Sequence, residues 1–170
     1  MKLTKLERLN LINQYTILAK LSPDDAEHYE ELKTILEDGY EIFYSSLDMW
    51  ISEDMPEEEG KFVLDILDLY RFIEDYKSRS PNSLVLENHY SIFRGFDGNN
   101  EGQYMGFARF LILTQGKFSE QKKYLRKNDN LNSHSPMIEI YKKLLLKWEK
   151  LGRPYHLNDS QIKEILGISE

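Results

Sequence analysis

Wherever the leucine, isoleucine and aromatic residues of this chain recur at three- and four-residue steps, a capping residue or a proline stands near the head of the run. A glycine or a polar turn follows its end. A half-buried strand alternates its apolar residues by two, whereas steps of three and four gather side chains on one face of an α-helix. The spacing predicts an all-α protein of six or seven helices in a single domain over residues 1–170, with an irregular loop in the middle and no sheet of three or more strands.

Thr4 and Glu7 form a capping box, hydroxyl and carboxylate each answering the other's backbone N–H. Leu6, Leu9, Leu11, Ile12, Tyr15 and Leu18 then carry a first helix to about Lys20. Ser22-Pro23-Asp24-Asp25 begins the second. Ser22 caps, Pro23 sits where a missing N–H is harmless, and the acids face the positive helix end. Tyr29, Leu32, Ile35 and Leu36 form its stripe, and Gly39 supplies a left-handed stop. Tyr40–Leu47 reads as a short helix with Ile42, Phe43 and Leu47 inside. The longest helix follows Pro56, with Phe62, Val63, Ile66, Leu67, Leu69, Tyr70 and Ile73 inward and Asp65, Asp68 and Asp75 off the stripe. Ser80-Pro81-Asn82 ends it. Another helix opens at Asp97-Gly98-Asn99-Asn100 and carries Tyr104, Phe107, Ala108, Leu111 and Ile112 to Gly116. Ser135-Pro136 starts the next, with Ile140, Tyr141, Leu144, Leu145 and Trp148 inward. The last runs from a cap at Asn158 or Asp159 to Leu166.

Two stretches escape this pattern. Residues 81–98 hold short apolar runs too brief for a sheet and read as an ordered loop held by Phe93 and Phe96. Residues 117–135 are polar, and a structureless loop of that length in a compact domain is often functional.

The chain has no cysteine, which excludes disulfides, thiolate nucleophiles and Cys-ligated zinc. No apolar run approaches the roughly 18 residues that span a bilayer. Charges at Lys2, Lys5, Glu7 and Arg8 break the apolar run a signal peptide needs. A cytoplasmic protein with no membrane partner is expected. Net charge is −7, unevenly spread: residues 1–80 hold 9 basic and 19 acidic residues, residues 81–170 hold 13 and 10. Such asymmetry marks either an interaction surface or ordinary solvated faces.

Together the segments Asn13-Gln14-Tyr15, Leu21-Ser22-Pro23, Asp65-Ile66 with Tyr70, and Phe93-Arg94-Gly95-Phe96-Asp97 make a distinctive series. It continues through Glu101, Tyr104, Gly106, Arg109 and Phe110 to Pro136-Met137, Tyr141, Trp148 and Tyr155-His156-Leu157. In this order and spacing the chain resembles the YfbU family of bacterial proteins along nearly its whole length. The resemblance implies a multihelical fold and self-association. It implies no activity, ligand or catalytic residue.

Asp97, Glu101, Tyr104 and Arg109 are the leading candidate ligand site, joined by His156. Two carboxyls, a phenol, a guanidinium and an imidazole can hold a small charged ligand or move protons. The structural alternative makes Asp97 a helix cap, Glu101 and Arg109 members of ion pairs, and His156 a loop anchor bonded to backbone between packed Tyr155 and Leu157. Lys122, Lys123 and Arg126, interleaved with Phe118 and Tyr124, are candidate nucleic-acid contacts, although the acidic balance opposes general affinity for polyanions. The four histidines stand at no ligand spacing, so neither a metal site nor a cofactor is expected.

No catalytic motif is present, and aromatic residues are abundant, 21 in all, most at helical core spacing with a surplus expected at a subunit interface. The function expected first is therefore a non-enzymatic, self-associating protein acting through protein or small-ligand binding, a homodimer or larger. Apolar residues on more than one side of the two long helices, Leu64 with Phe72 and Ile138 with Leu146, point the same way. The alternatives are an enzyme or metabolite binder using the Asp97–His156 set, and a nucleic-acid-associated regulator using Lys122, Lys123 and Arg126.

Overall fold

The computed structural model describes residues 2–81 and 83–168, with Leu84 and Leu86 described by backbone alone. Asn82, in the expected stop after the longest helix, lies outside them. Six α-helices and several 3-10 turns account for most of the chain, and among the described residues there is no strand, only an isolated bridge between Phe96 and Asn132. None of these helices is long and apolar enough to cross a membrane. The helices gather into two compact units, residues 1–54 and 55–170.

In the first unit α1 spans Lys5–Leu21 and α2 Ala26–Asp38. The Thr4–Glu7 capping box forms as the sequence predicts, with Thr4 N–H donating to Glu7 Oε2 at 2.8 Å. Ser22 makes no side-chain cap; Pro23 instead opens a 3-10 turn, Pro23–Asp25, that leads into α2. Gly39 closes α2 in the left-handed conformation. Leu32, Ile35, Leu36 and Tyr44 form the buried centre, with Leu3, Leu11, Ile12, Tyr15, Tyr29 and Leu47 packed against it.

Two expectations fail here. No residue of α1 is fully buried, and Leu6, Leu9 and Leu18 are exposed. Apolar residues occur on both sides of α1, and α2 covers only the side carrying Leu11, Ile12 and Tyr15. Residues 41–46 coil as a 3-10 helix rather than an α-helix. Its period of three turns Tyr44 inward and leaves Ile42 and Phe43, the expected core residues, exposed.

In the second unit α3 (Glu57–Arg79), α4 (Gly102–Arg109), α5 (Ile138–Lys150) and α6 (Asp159–Leu166) enclose one core. The predicted α3 stripe is buried from Val63 to Ile73, and the centre is aromatic. Tyr70, Phe93, Phe96 and Tyr141 meet with ring centroids 5.4–5.9 Å apart. Both phenols are satisfied: Tyr70 donates to the Tyr90 carbonyl at 3.1 Å and Tyr141 to the Gly95 carbonyl at 2.9 Å. Leu64, Phe72 and Ile138 pack against this same core, so the second apolar arcs of the long helices are largely covered within the unit, with Leu146 left out.

The irregular stretches lock together. Phe93 and Phe96 are fully buried, as expected of the 81–98 loop. Gly95 between them has φ +82°, and a Cβ there would lie 1.9 Å from the Leu131 carbonyl oxygen. Only glycine allows that approach. Buried Asn128 fastens the second stretch to the first, donating to the Phe93 carbonyl at 3.0 Å while accepting from Leu131 N–H at 3.1 Å.

Candidate functional site

The loop before α4 does not start the helix as the sequence predicts. Residues 98–100 form a turn and α4 begins at Gly102. Asp97 is buried and closes the turn on itself, accepting from Asn99 N–H at 3.1 Å and from the Asn100 amide. It therefore does not cap α4; an aspartate that can bond two residues ahead in a turn competes with its own capping role.

Glu101 is buried as well, and it makes no ion pair with Arg109. Its Oε2 accepts from Asp97 N–H at 3.0 Å, while Oε1 accepts from Met137 N–H at 2.8 Å and Ile138 N–H at 2.9 Å. These last two are orphan donors of the first turn of α5, whose flanking residue supplies no side-chain cap. An anion at the positive end of a helix is favoured by both its hydrogen bonds and the helix dipole. Tyr104 lies with its ring against Phe62 and Phe96, at 6.1 and 5.6 Å, and burial and the adjacent Glu59 carboxylate raise its phenol. Arg109 donates through Nε to the Asn130 carbonyl at 2.7 Å. The polar atoms of Asp97 and Glu101 are committed to backbone and to neighbouring amides rather than aimed at open space.

His156 is bound elsewhere. Its side chain is 83% exposed, and Nδ1 lies 3.3 Å from Asp75 Oδ2 on α3. Among the described residues no hydrogen bond or ion pair joins His156 to Asp97, Glu101, Tyr104 or Arg109. The partner expected for a structural His156 was backbone; it is a carboxylate. Leu157 is buried as expected, whereas Tyr155 is exposed with only its ring edge on Phe72.

The basic segment folds against α3. Ser119–Tyr124 is a 3-10 helix, and Lys123 pairs with Glu74, which also holds Lys77 at 2.7 Å and accepts from the Tyr124 hydroxyl at 2.8 Å. Lys122 and Arg126 remain exposed. Phe118 is buried under the Arg71 guanidinium, 4.2 Å from its ring centroid, so it is withdrawn from stacking on a base. Gln121 is fully buried, and neither amide atom finds a hydrogen-bond partner among the described residues.

Glu74 is a residue the apolar pattern passes over. Its spacing held the signal: it lies four residues after Tyr70 and three before Lys77, on the core side of α3. A second overlooked feature is a groove of about 470 Å³ between α3 and α5. Phe62, Leu145 and Leu146 line it with charged residues around them. At its edge Arg153 forks onto Asp65 at 3.1 and 2.9 Å and reaches Glu149 at 2.6 Å. Among the described residues no group of three or more His, Asp or Glu is placed to hold a metal ion.

The sequence matches the YfbU domain over residues 1–167. The chain belongs to the YfbU family. It is also similar to the UPF0304 protein MJECS11 of Methanocaldococcus jannaschii, 49% identical over 167 residues that cover 96% of this chain and 98% of that protein. That relative is archaeal, so the family extends beyond bacteria. Its match runs through residues of both compact units.

Proposed function

We propose that this protein acts in the cytoplasm by binding rather than by catalysis, and that it first binds itself, as a homodimer or a larger closed homo-oligomer. One observation carries this. Of the fifteen large apolar side chains exposed among the described residues, eleven lie in residues 1–54, less than a third of the chain. They include Trp50 at 85% and Ile51 at 77% exposure. A unit of this size with four buried apolar residues has a small core, of marginal stability by itself. Apolar surface so concentrated marks a contact site, and Tyr40, Phe43, Met49 and Trp50 are the residue types that interfaces enrich. Symmetric closure is the usual form of self-association. The buried engagement of Asp97 and Glu101 supports binding over acid–base work, and the burial of Phe118 together with the pairing of the exposed Lys123 with Glu74 weakens the nucleic-acid alternative.

Sedimentation equilibrium tests the assembly. The expected mass is a multiple of the 20.2 kDa chain, reduced towards one chain by Trp50→Glu with Ile51→Glu. A single-chain mass that persists as concentration rises through the micromolar range overturns the proposal. The α3–α5 groove favours a second reading, a small amphipathic ligand seated on Phe62 and Leu145. A metabolite that raises the melting temperature of the native protein but not of Leu146→Glu, at the exposed side of the groove, would support it.

A further inference from the structure

Helix α1 packs one face on α2 and leaves the opposite face bare. At 100° per residue, Leu6, Asn10, Asn13, Ile17 and Leu21 fall along that outer face, spaced by four, three, four and four. Leu6 is 68%, Ile17 57% and Leu21 72% exposed, and Leu9 flanks the row at 52%. The stripe is apolar at both ends and amide in the middle. The side chains of Asn10, Asn13 and Gln14 are exposed and bond to nothing among the described residues.

We infer that α1 pairs antiparallel with α1 of a second copy, across a two-fold axis passing between Asn13 and Gln14 of each helix; the pairing takes the self-association proposed above as given. In a two-fold interface residue i meets j and j meets i. About the centre of this stripe Leu6 stands level with Leu21 of the other copy, Asn10 with Ile17, and Asn13 with Gln14. Leucine meets leucine at both ends, and the amides meet at the axis. Asn10 faces Ile17 in this register, and the Asn13–Gln14 amide pair favours it, because a slip would set those amides against apolar side chains as well.

Charge sets the direction. Lys2 and Lys5 precede or open α1, and Asp24 and Asp25 follow its end, all exposed. Antiparallel pairing brings the basic end of each helix level with the acidic turn of the other. Parallel pairing would set lysine against lysine and aspartate against aspartate, and would align the helix dipoles unfavourably. The exposed aliphatic surface of the stripe is roughly 500 Å² per copy, so a pair buries about 1,000 Å², the floor for a specific interface.

The chain has no native cysteine, so single cysteines on the exposed face report the pairing without background. Under mild oxidation Asn13→Cys should link to itself in the full-length protein. Leu6→Cys and Leu21→Cys should each stay unlinked alone and link when mixed, since disulfides need Cα atoms within about 7 Å. Ile17→Glu should weaken self-association by about 30-fold or more while leaving the circular dichroism spectrum unchanged, as loss of an interface anchor does. Linking of Leu6→Cys to itself would mean parallel pairing and overturn the inference. So would a wild-type oligomer in sedimentation with no linking at Asn13→Cys and none in the mixture; self-association would then stand and α1 would not be its seam. A monomeric wild type overturns both.

Discussion

Glu101 reaches across thirty-six residues of chain to accept the backbone N–H of Met137 at 2.8 Å, and with the same oxygen that of Ile138 at 2.9 Å. A carboxylate from the entrance of one helix thereby serves as the cap of another. Its second oxygen holds Asp97 N–H, so one buried side chain fixes the Phe96-Asp97 segment, the start of α4 and the start of α5 together.

Glu101→Gln should therefore destabilise the fold by about 2–3 kcal/mol, since charge-assisted bonds to buried backbone donors are lost and the new amide N–H₂ faces donors. For a chain of this length that lowers the melting temperature by roughly 4–12 °C. Thermal and urea unfolding measure it. A loss under 0.5 kcal/mol would show that Glu101 is not the tether described.

The contrast between Glu101 and the helix ends explains what could be read from sequence. Thr4–Glu7, Pro56, Asn158 and Gly167 act on backbone within three or four residues, so their meaning is local and each marks its helix end in the structure. Glu101 acts through contacts made only after folding, and its spacing to Tyr104 and Arg109 on one helix suggested a site that the fold instead ties to backbone. Asp97 misled for a related reason: a cap and a turn-closing aspartate have the same local sequence. On α1 the apolar residues lie on two faces, and nothing local states which one α2 covers. Residues 41–46 failed by period, because over six residues steps of three and of 3.6 cannot be told apart.

Gln121 offers a gain rather than a loss. Its amide is fully buried and unpartnered, a state that costs about 1–3 kcal/mol. Gln121→Met has nearly the same shape and no orphaned donor or acceptor, so it should raise stability by about 1 kcal/mol in urea unfolding. A destabilised Gln121→Met would mean that the amide has a partner in solution.

Glu74 holds two ammonium groups and a phenol on the core side of α3, with its side chain 6% exposed and that of Lys77 11%. Removing one member of a buried pair strands the other charge. Glu74→Met should cost about 3 kcal/mol or more, and Glu74→Met with Lys77→Met should recover most of it, because two thioether side chains fill the same space without charge. Additive losses in this double-mutant cycle would show that Glu74 and Lys77 are uncoupled.

Tyr70, Tyr141 and Tyr124 set the alkaline limit of the fold. Burial raises all three phenols above their ordinary value of 10.0, and for Tyr124 the Glu74 carboxylate adds to it. A group whose folded pKa lies above its unfolded one contributes stability that is complete below the unfolded value and lost as pH rises towards the folded value. Above about pH 10 the unfolded chain releases these protons while the folded chain keeps them, so each step upward favours unfolding. The near-ultraviolet absorbance of tyrosinate should thus rise in two stages. Solvent-exposed phenols in general ionise first and reversibly, and the buried set follows in one cooperative step coincident with loss of helical circular dichroism. Tyr70→Phe should move that second step to higher pH, since phenylalanine has no proton to lose. A second step that precedes the loss of helix would mean that these phenols ionise within the folded protein.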